Sequence, residues 1–297
     1  MQAAAAAQFT LDRSSVARSF DRASAGYDAA AFLHADVRAE LLQRLDLVSL
    51  EPRVVVDAGS GTGHACRELK RRYPRARVIA LDFAPGMLRA AARQRSWRRR
   101  FDRVCADAAR MPFADASVDL IFSNLMLPWC DPDPVFAEFR RVLAPRGLLT
   151  LTSAGPDTLR ELRLAWARAD ANLHVHPFID MHDLGDALVR AGFAAPVLDV
   201  ERRTVAYAGV GALLADLKAQ GARNAMSGRS KSLTGKGAMR AMHAAYEEFR
   251  VGGRLPATCE IVFAQAWAPL HAGVRIAGET TIGLADLAGR LRRGRGR

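Results

Sequence analysis

The chain of 297 residues has little cysteine and no long apolar run. Four cysteines, Cys66, Cys105, Cys130 and Cys259, are scattered, with no Cys-x-x-Cys pair. That excludes a disulfide scaffold and the common zinc motifs, and it fits a reducing compartment. No stretch of about 18 uncharged apolar residues occurs, so no membrane span is expected. The first residues, MQAAAAAQFTLDR, lack the basic and apolar regions of a secretory signal. A cytoplasmic protein that does not engage membranes is expected. Acidic residues are also in deficit: 31 Asp+Glu face 43 Lys+Arg, a net charge of +12. Five arginines fall within 290–297 and six within 93–103. Such a surface suits an acidic partner. Nucleic acid is not favoured, because the basic loop 223–237 has no interleaved aromatics for base stacking.

What is present is an alternation. Helix formers run from about 14 to 48, with a break near Ser24–Gly26. Short β-branched or apolar runs then alternate with helical segments: VVV (54–56), ARVIALDF, DRVCAD (102–107), VDLIFSN (118–124) and LLTLTS (148–153). Strands that are apolar throughout, joined by helices, predict a doubly wound parallel sheet buried on both faces. In the second half, helices are expected over 156–169 and 182–193. Two further strands, PVLDVERRTVAYA and ATCEIVFAQAWAP, flank a helical insertion and would add an antiparallel pair to the sheet. The division expected is a helical cap over 1–48, an α/β domain over 49–270 with its insertion at about 209–254, and a basic tail over 271–297. That tail has too little to bury to fold.

The first strand ends in VDAGSGTGHA. Gly59, Gly61 and Gly63 alternate between a strand and a helix, so the backbone can turn sharply and approach a ligand closely. The spacing is not that of a dinucleotide fingerprint, and no Lys-Ser/Thr follows to make a nucleoside-triphosphate loop. Asp82 closes the second strand, placed to accept from ribose hydroxyls. Asp107 closes the third. With Asp57 and Ser123-Asn124, these describe a nucleoside site with no provision for polyphosphate.

The ordered set resembles the class I S-adenosylmethionine-dependent methyltransferases. VDAGSGTG, ALDFAPGML, CADAARMPF and DLIFSNLMLPW are similar to the family's successive motifs, and RRVLAPRGLLTLTS to the segment after them. The resemblance implies a Rossmann-like class I sheet, mostly parallel with antiparallel C-terminal strands, and S-adenosylmethionine as cofactor. It implies that Gly59, Gly61 and Gly63 pass under the methionine portion, with Asp57 near its amino group. Asp82 takes the ribose hydroxyls, Phe83 and Met87 pack on the adenine, and Asp107 faces the adenine amino group beside Ala108. Asn124 completes the set. No metal is implied; the His174, His176, His182 cluster matches no zinc spacing.

The flanks, from SFDRASAGYDAAAFLHADV through HVHPFIDMHDLGDALVRAGF to RLPATCEIVFAQAW, resemble the malonyl-acyl-carrier-protein carboxyl methyltransferases of biotin synthesis. The resemblance implies a malonyl carboxylate as acceptor and an acyl carrier protein as partner. Tyr27 and Arg22 are the candidates to position that carboxylate, and Trp129 and His176 to line the acceptor pocket. Arg89, Arg93, Arg95, Arg98, Arg99 and Arg100 would supply a docking face for the acidic carrier. One departure is His176-Pro177, where many relatives have Asn-Arg. A methyltransferase-fold arginine hydroxylase and assembly factor shares a similar His-x-x-Pro-Phe segment and stays open as an alternative, as does a quinone-type methyltransferase.

Overall fold

The structure, a computed structural model, describes residues 11–94, 100–230 and 232–270, together with the backbone of Val274–Ile276 and Glu279–Thr281. The N-terminal stretch forms three helices, α1 (Arg13–Ala23), α2 (Tyr27–Ala30) and α3 (Phe32–Arg44). Asp12 caps α1 by accepting from Ser15 N, and Gly26 stands at the break before α2.

Strand and helix then alternate: β1 (Val54–Ala58), α4 (His64–Arg72), β2 (Arg77–Asp82), α5 (Pro85–Ala91), β3 (Asp102–Cys105), β4 (Val118–Asn124), α6 (Pro132–Val142) and β5 (Leu143–Ala154). The remainder comprises α7 (Arg160–Ala169), α8 (Met181–Arg190), β6 (Ala194–Tyr207), α9 (Val210–Ala219), α10 (Lys236–Glu247) and β7 (Leu255–Trp267). The sheet order is β3-β2-β1-β4-β5-β7-β6. Strands β1 to β5 are parallel to their neighbours, and β7 runs antiparallel between β5 and β6. The antiparallel pair read from the sequence is therefore present. Strand order reverses between β1 and β4, where an open α/β sheet leaves a crevice beyond its strand ends.

Successive strand residues face opposite layers. Val56, Ile79 and Ile121 pack with Phe136 and Phe139 of α6 and Leu184 and Leu188 of α8. Val55, Val78 and Leu120 pack on the other face with Val37 and Leu41 of α3 and Leu69 of α4. A third cluster joins Trp166, Leu213, Met242 and Tyr246 of α7, α9 and α10 to Leu255 and Ala257 of β7.

Two expectations need correction. Strand β3 was expected to be buried on both faces, but it lies at the sheet edge and is largely exposed. Strand β6, at the opposite edge, alternates between exposed and half-buried residues. An edge strand has a neighbour on one side only and incomplete helical cover. The helix expected from 156 begins at 160: Leu159 has φ of 56° and gives its N–H to Thr258 O instead of to a helical carbonyl. The C-terminal stop read at Gly192 holds; its φ is 88°, and Phe193 N closes on Leu188 O.

Within 271–297, where the sequence predicts an unfolded tail, Val274–Ile276 pairs antiparallel with Glu279–Thr281. The rest of that stretch lies outside the described residues, as do Arg95, Arg98 and Arg99 of the expected docking face. No helix among the described residues is long and apolar enough to cross a membrane.

Candidate functional site

After β1 the backbone turns through three positive φ angles, 73° at Gly59, 51° at Gly61 and 83° at Gly63. The loop is fastened to the end of β2. Gly59 N and Ser60 N donate to Leu81 O at 2.9 and 3.0 Å, and Gly61 N donates to Asp82 Oδ2 at 2.9 Å. The other carboxylate oxygen of Asp82 accepts from Ala84 N at 2.8 Å. The three glycines do different work. A Cβ on Gly59 would lie 2.5 Å from the Met126 side chain, and one on Gly63 would lie 2.8 Å from Ala91 Cβ. A Cβ on Gly61 meets nothing within 4 Å. Gly63 is thus a packing requirement, whereas Gly61 fronts open space.

That space is a cavity of about 520 Å³ across the strand ends. One wall comes from the expected motif residues: Gly59, Gly61, Asp82, Phe83, Met87, Asp107 and Ala108. Asn124, Leu125, Met126 and Trp129, at and beyond the end of β4, continue it. The N-terminal helices close the other side with Arg13, Phe20, Tyr27 and His34. Of the residues singled out in the sequence, Asp57, Gly63, Arg22 and His176 are not on the lining. Asp57 and Gly63 are buried behind it. Arg22 is exposed; the arginine at the cavity is Arg13, which pairs with Asp107. His176 packs edge-on against Trp129, with ring centroids 5.0 Å apart, so it supports the wall from behind.

The site's acids are held at unusual potentials. Burial pushes the Asp82 carboxyl up to about 6, against the pull of the Ala84 and Gly61 amides. Burial likewise raises Asp57 to about 7, although the Cys66 thiol donates to it at 3.2 Å and Arg38 attracts it. Burial, reinforced by Asp82 and Asp28, raises the Tyr27 phenol above its ordinary value. Burial lowers His34 to about 4. At neutral pH the cavity therefore presents a neutral phenol and a neutral imidazole opposite buried carboxylates.

The N-terminal helices are latched to the loops by specific contacts that motif spacing does not reveal. Asp21 accepts from Gly86 N at 2.5 Å, at the start of α5. Asp28 accepts from Thr62 Oγ1 at 2.5 Å and approaches His64 Nε2 at 3.1 Å. The Asn124 side chain donates to His34 O at 3.0 Å and accepts from Thr152 Oγ1 at 2.9 Å. Among the described residues, the buried side-chain atoms without a hydrogen-bond partner are His34 Nδ1, Ser60 Oγ and His176 Nε2. They belong in turn to the cavity's wall, its glycine loop and the ring that packs edge-on behind Trp129. Unsatisfied buried polar atoms are few in native folds, and His34 is the one of these that lines the cavity. The site thus offers acceptors for hydroxyl and amino groups, a thin apolar slot, and neutral donors, with no cluster of cations for polyphosphate.

Residues 56–151 match the family described as methyltransferase domain. The chain is 51% identical over 268 residues to a malonyl-[acyl-carrier protein] O-methyltransferase of Methylovorus sp. (strain MP688), a match covering 88% of this chain and 90% of that protein. It is equally 51% identical over 270 residues to the protein of the same name from Laribacter hongkongensis (strain HLHK9), covering 88% and 91%. Among solved structures, the fold is similar to that of a Bacillus halodurans C-125 protein, with TM-score 0.56 and 18% identity, over 78% of this chain and 98% of that one.

Proposed function

The chain belongs to the family of malonyl-[acyl-carrier protein] O-methyltransferases, and on that premise we propose that it methylates the free carboxylate of a malonyl thioester carried on an acyl carrier protein, using S-adenosylmethionine. The observation that carries the reading is identity of 51% over 88% of the chain, well beyond the cofactor motifs. The product would feed the pimeloyl branch of biotin synthesis, where a masked carboxylate lets the chain end pass as an ordinary acyl end.

The cavity fits the cofactor. Gly61 leaves open space where any side chain would intrude, and Asp82 keeps lone pairs beyond those given to the two amides. In this reading Asp82 holds the ribose hydroxyls. Phe83 and Met87 pack on the adenine, and Asp107 and Ala108 lie at its amino edge. Gly59 and Gly61 pass the methionine portion, with Asp57 behind the wall. When bound, S-adenosylmethionine supplies a methyl group on a sulfonium. A malonyl carboxyl group has a pKa of about 4, so it is already an anion at neutral pH and the chain needs no general base. The work left to the protein is orientation and exclusion of water. Phe20, Leu125, Met126 and Trp129 form the apolar wall that does the latter; Phe20 meets Trp129 edge-to-face at 5.1 Å. Incubation with methyl-labelled S-adenosylmethionine and malonyl-acyl carrier protein should yield a base-labile methyl ester. Label that never reaches the malonyl group would overturn the proposal.

The carrier's docking face is assigned to exposed arginines beside the cavity. Asp21 of α1 meets Gly86 and Arg89 of α5, so this helix pair carries the exposed Arg18, Arg22 and Arg89; Arg93 and Arg100 are exposed as well. Reversing Arg18, Arg89 and Arg93 to Glu should raise KM for malonyl-acyl carrier protein about tenfold at low salt and change KM for malonyl-coenzyme A by less than about twofold. Raising salt from about 0.05 to 0.5 M should shrink the difference, since the Debye length falls from roughly 14 to 4 Å. Steady-state kinetics with the two substrates reads this; equal damage to both would assign the arginines a structural role.

A further inference from the structure

Donors are scarce on the cavity wall. Asp82, Asp107 and Asp131 would repel an anion, and Arg13 is paired with Asp107. The Asn124 amide gives one N–H to His34 O, and its oxygen accepts from Thr152 Oγ1. Beside the Trp129 indole N–H and the second Asn124 N–H, two neutral side chains stand next to one another. The Tyr27 hydroxyl makes no hydrogen bond among the described residues, and His34 Nδ1 is buried without a partner. Their rings meet edge-to-face with centroids 5.8 Å apart, and both line the cavity. A buried nitrogen left unbonded costs stability unless a ligand completes it. The main chain of His34 is held by Asn124.

We propose that Tyr27 and His34 together form the receptor for a ligand carboxylate, held by two neutral donors. The inference rests on the function proposed above, whose two ligands both carry that group: the malonyl acceptor at its free end and the cofactor at its methionine end. The phenol donates through its hydroxyl, and the neutral imidazole through one N–H. Burial keeps both groups uncharged at neutral pH; Arg38 pushes His34 further down and Asp216 opposes it. Neutral donors orient a carboxylate without pairing it to a full positive charge, so an acceptor oxygen held this way keeps its nucleophilicity.

The test uses the full chain and its His34→Leu, His34→Gln and Tyr27→Phe variants. Calorimetry measures S-adenosylmethionine, decarboxylated S-adenosylmethionine and free malonate, and steady-state kinetics measures malonyl-coenzyme A. If the receptor holds the cofactor's carboxylate, the unaltered protein prefers S-adenosylmethionine to its decarboxylated form by about tenfold, and His34→Leu and Tyr27→Phe erase that preference. If it holds the acceptor's, the preference survives, malonate binding weakens about tenfold, and kcat/KM for malonyl-coenzyme A falls by a similar factor. In either case His34→Gln, which keeps an N–H donor, recovers most of the loss. Unchanged values for all four ligands would overturn the proposal. So would a loss that His34→Gln does not rescue while the thermal transition stays cooperative. If the unaltered protein makes no methyl ester, the function proposed above fails separately, and the binding comparisons still decide the receptor.

Discussion

Gly61→Val is expected to lower affinity for S-adenosylmethionine by at least about 100-fold, roughly 2.7 kcal/mol, while the protein still unfolds cooperatively. A Cβ at this position meets nothing within 4 Å, so the side chain enters the cavity instead of the core. The cost to the fold is confined to the backbone. A left-handed conformation at φ of 51° costs a β-branched residue about 1–2 kcal/mol, a loss of a few degrees in Tm for a chain of this size. Gly63→Val provides the contrast. There the new Cβ would press on Ala91 at 2.8 Å and Phe101 at 3.1 Å, so the fold itself should be damaged. Calorimetry beside thermal melts separates the two; unchanged cofactor affinity in Gly61→Val would remove the cavity as the cofactor's place.

Asp82→Ala should weaken the same binding by about 1.5–3 kcal/mol, or roughly 10- to 150-fold, through lost charge-assisted hydrogen bonds. The loop also loses its tie from Gly61 N and Ala84 N to the end of β2, so the effect should sit toward the upper end. The raised carboxyl predicts a pH dependence. As pH falls through about 6, Asp82 takes up a proton, and affinity for the cationic cofactor should fall with it. Asp82→Asn should flatten that profile. Stability of the free protein should move the other way. Both Asp82, at about 6, and Asp57, at about 7, titrate above the unfolded value of about 4, so the native state binds more protons than the unfolded chain between those limits. Their contribution is full below about pH 4 and is lost as pH rises toward 6 and 7. Melts of Asp57→Asn and Asp82→Asn should lack the corresponding part of the slope.

The cofactor end of this protein could be read from the chain because its determinants are local. A strand, a turn and a helix lie within a few residues of one another. Alternating glycines between VVVDA and HACRELKRR can do little except turn the chain at a sheet edge, and an acid closing the next strand falls beside them in any parallel pair. Asp82, Phe83, Met87, Asp107 and Ala108 accordingly line one wall. Local pattern could not rank the glycines. Whether a Cβ would meet Ala91, Met126 or open space depends on α5 and on the turn after β4, which approach from elsewhere in the chain.

The far wall depended on packing across long separations. Residues 11–34 reach the sheet edge through Asp21 at Gly86, Asp28 at Thr62 and His34 O at Asn124, contacts that bridge 34 to 90 positions. Tyr27 stood out as a candidate because a phenol suits a carboxylate. His34 did not, since a lone histidine in a helical run looks like any half-buried side chain until the cavity beside it is known. The choice between Arg22 and Arg13 is one of helical phase. The two are nine positions apart on α1, about two and a half turns, and so point to opposite sides. Composition and spacing are the same for both, and only the docking of α1 against the glycine loop and α5 decides that Arg13 faces the cavity while Arg22 faces solvent.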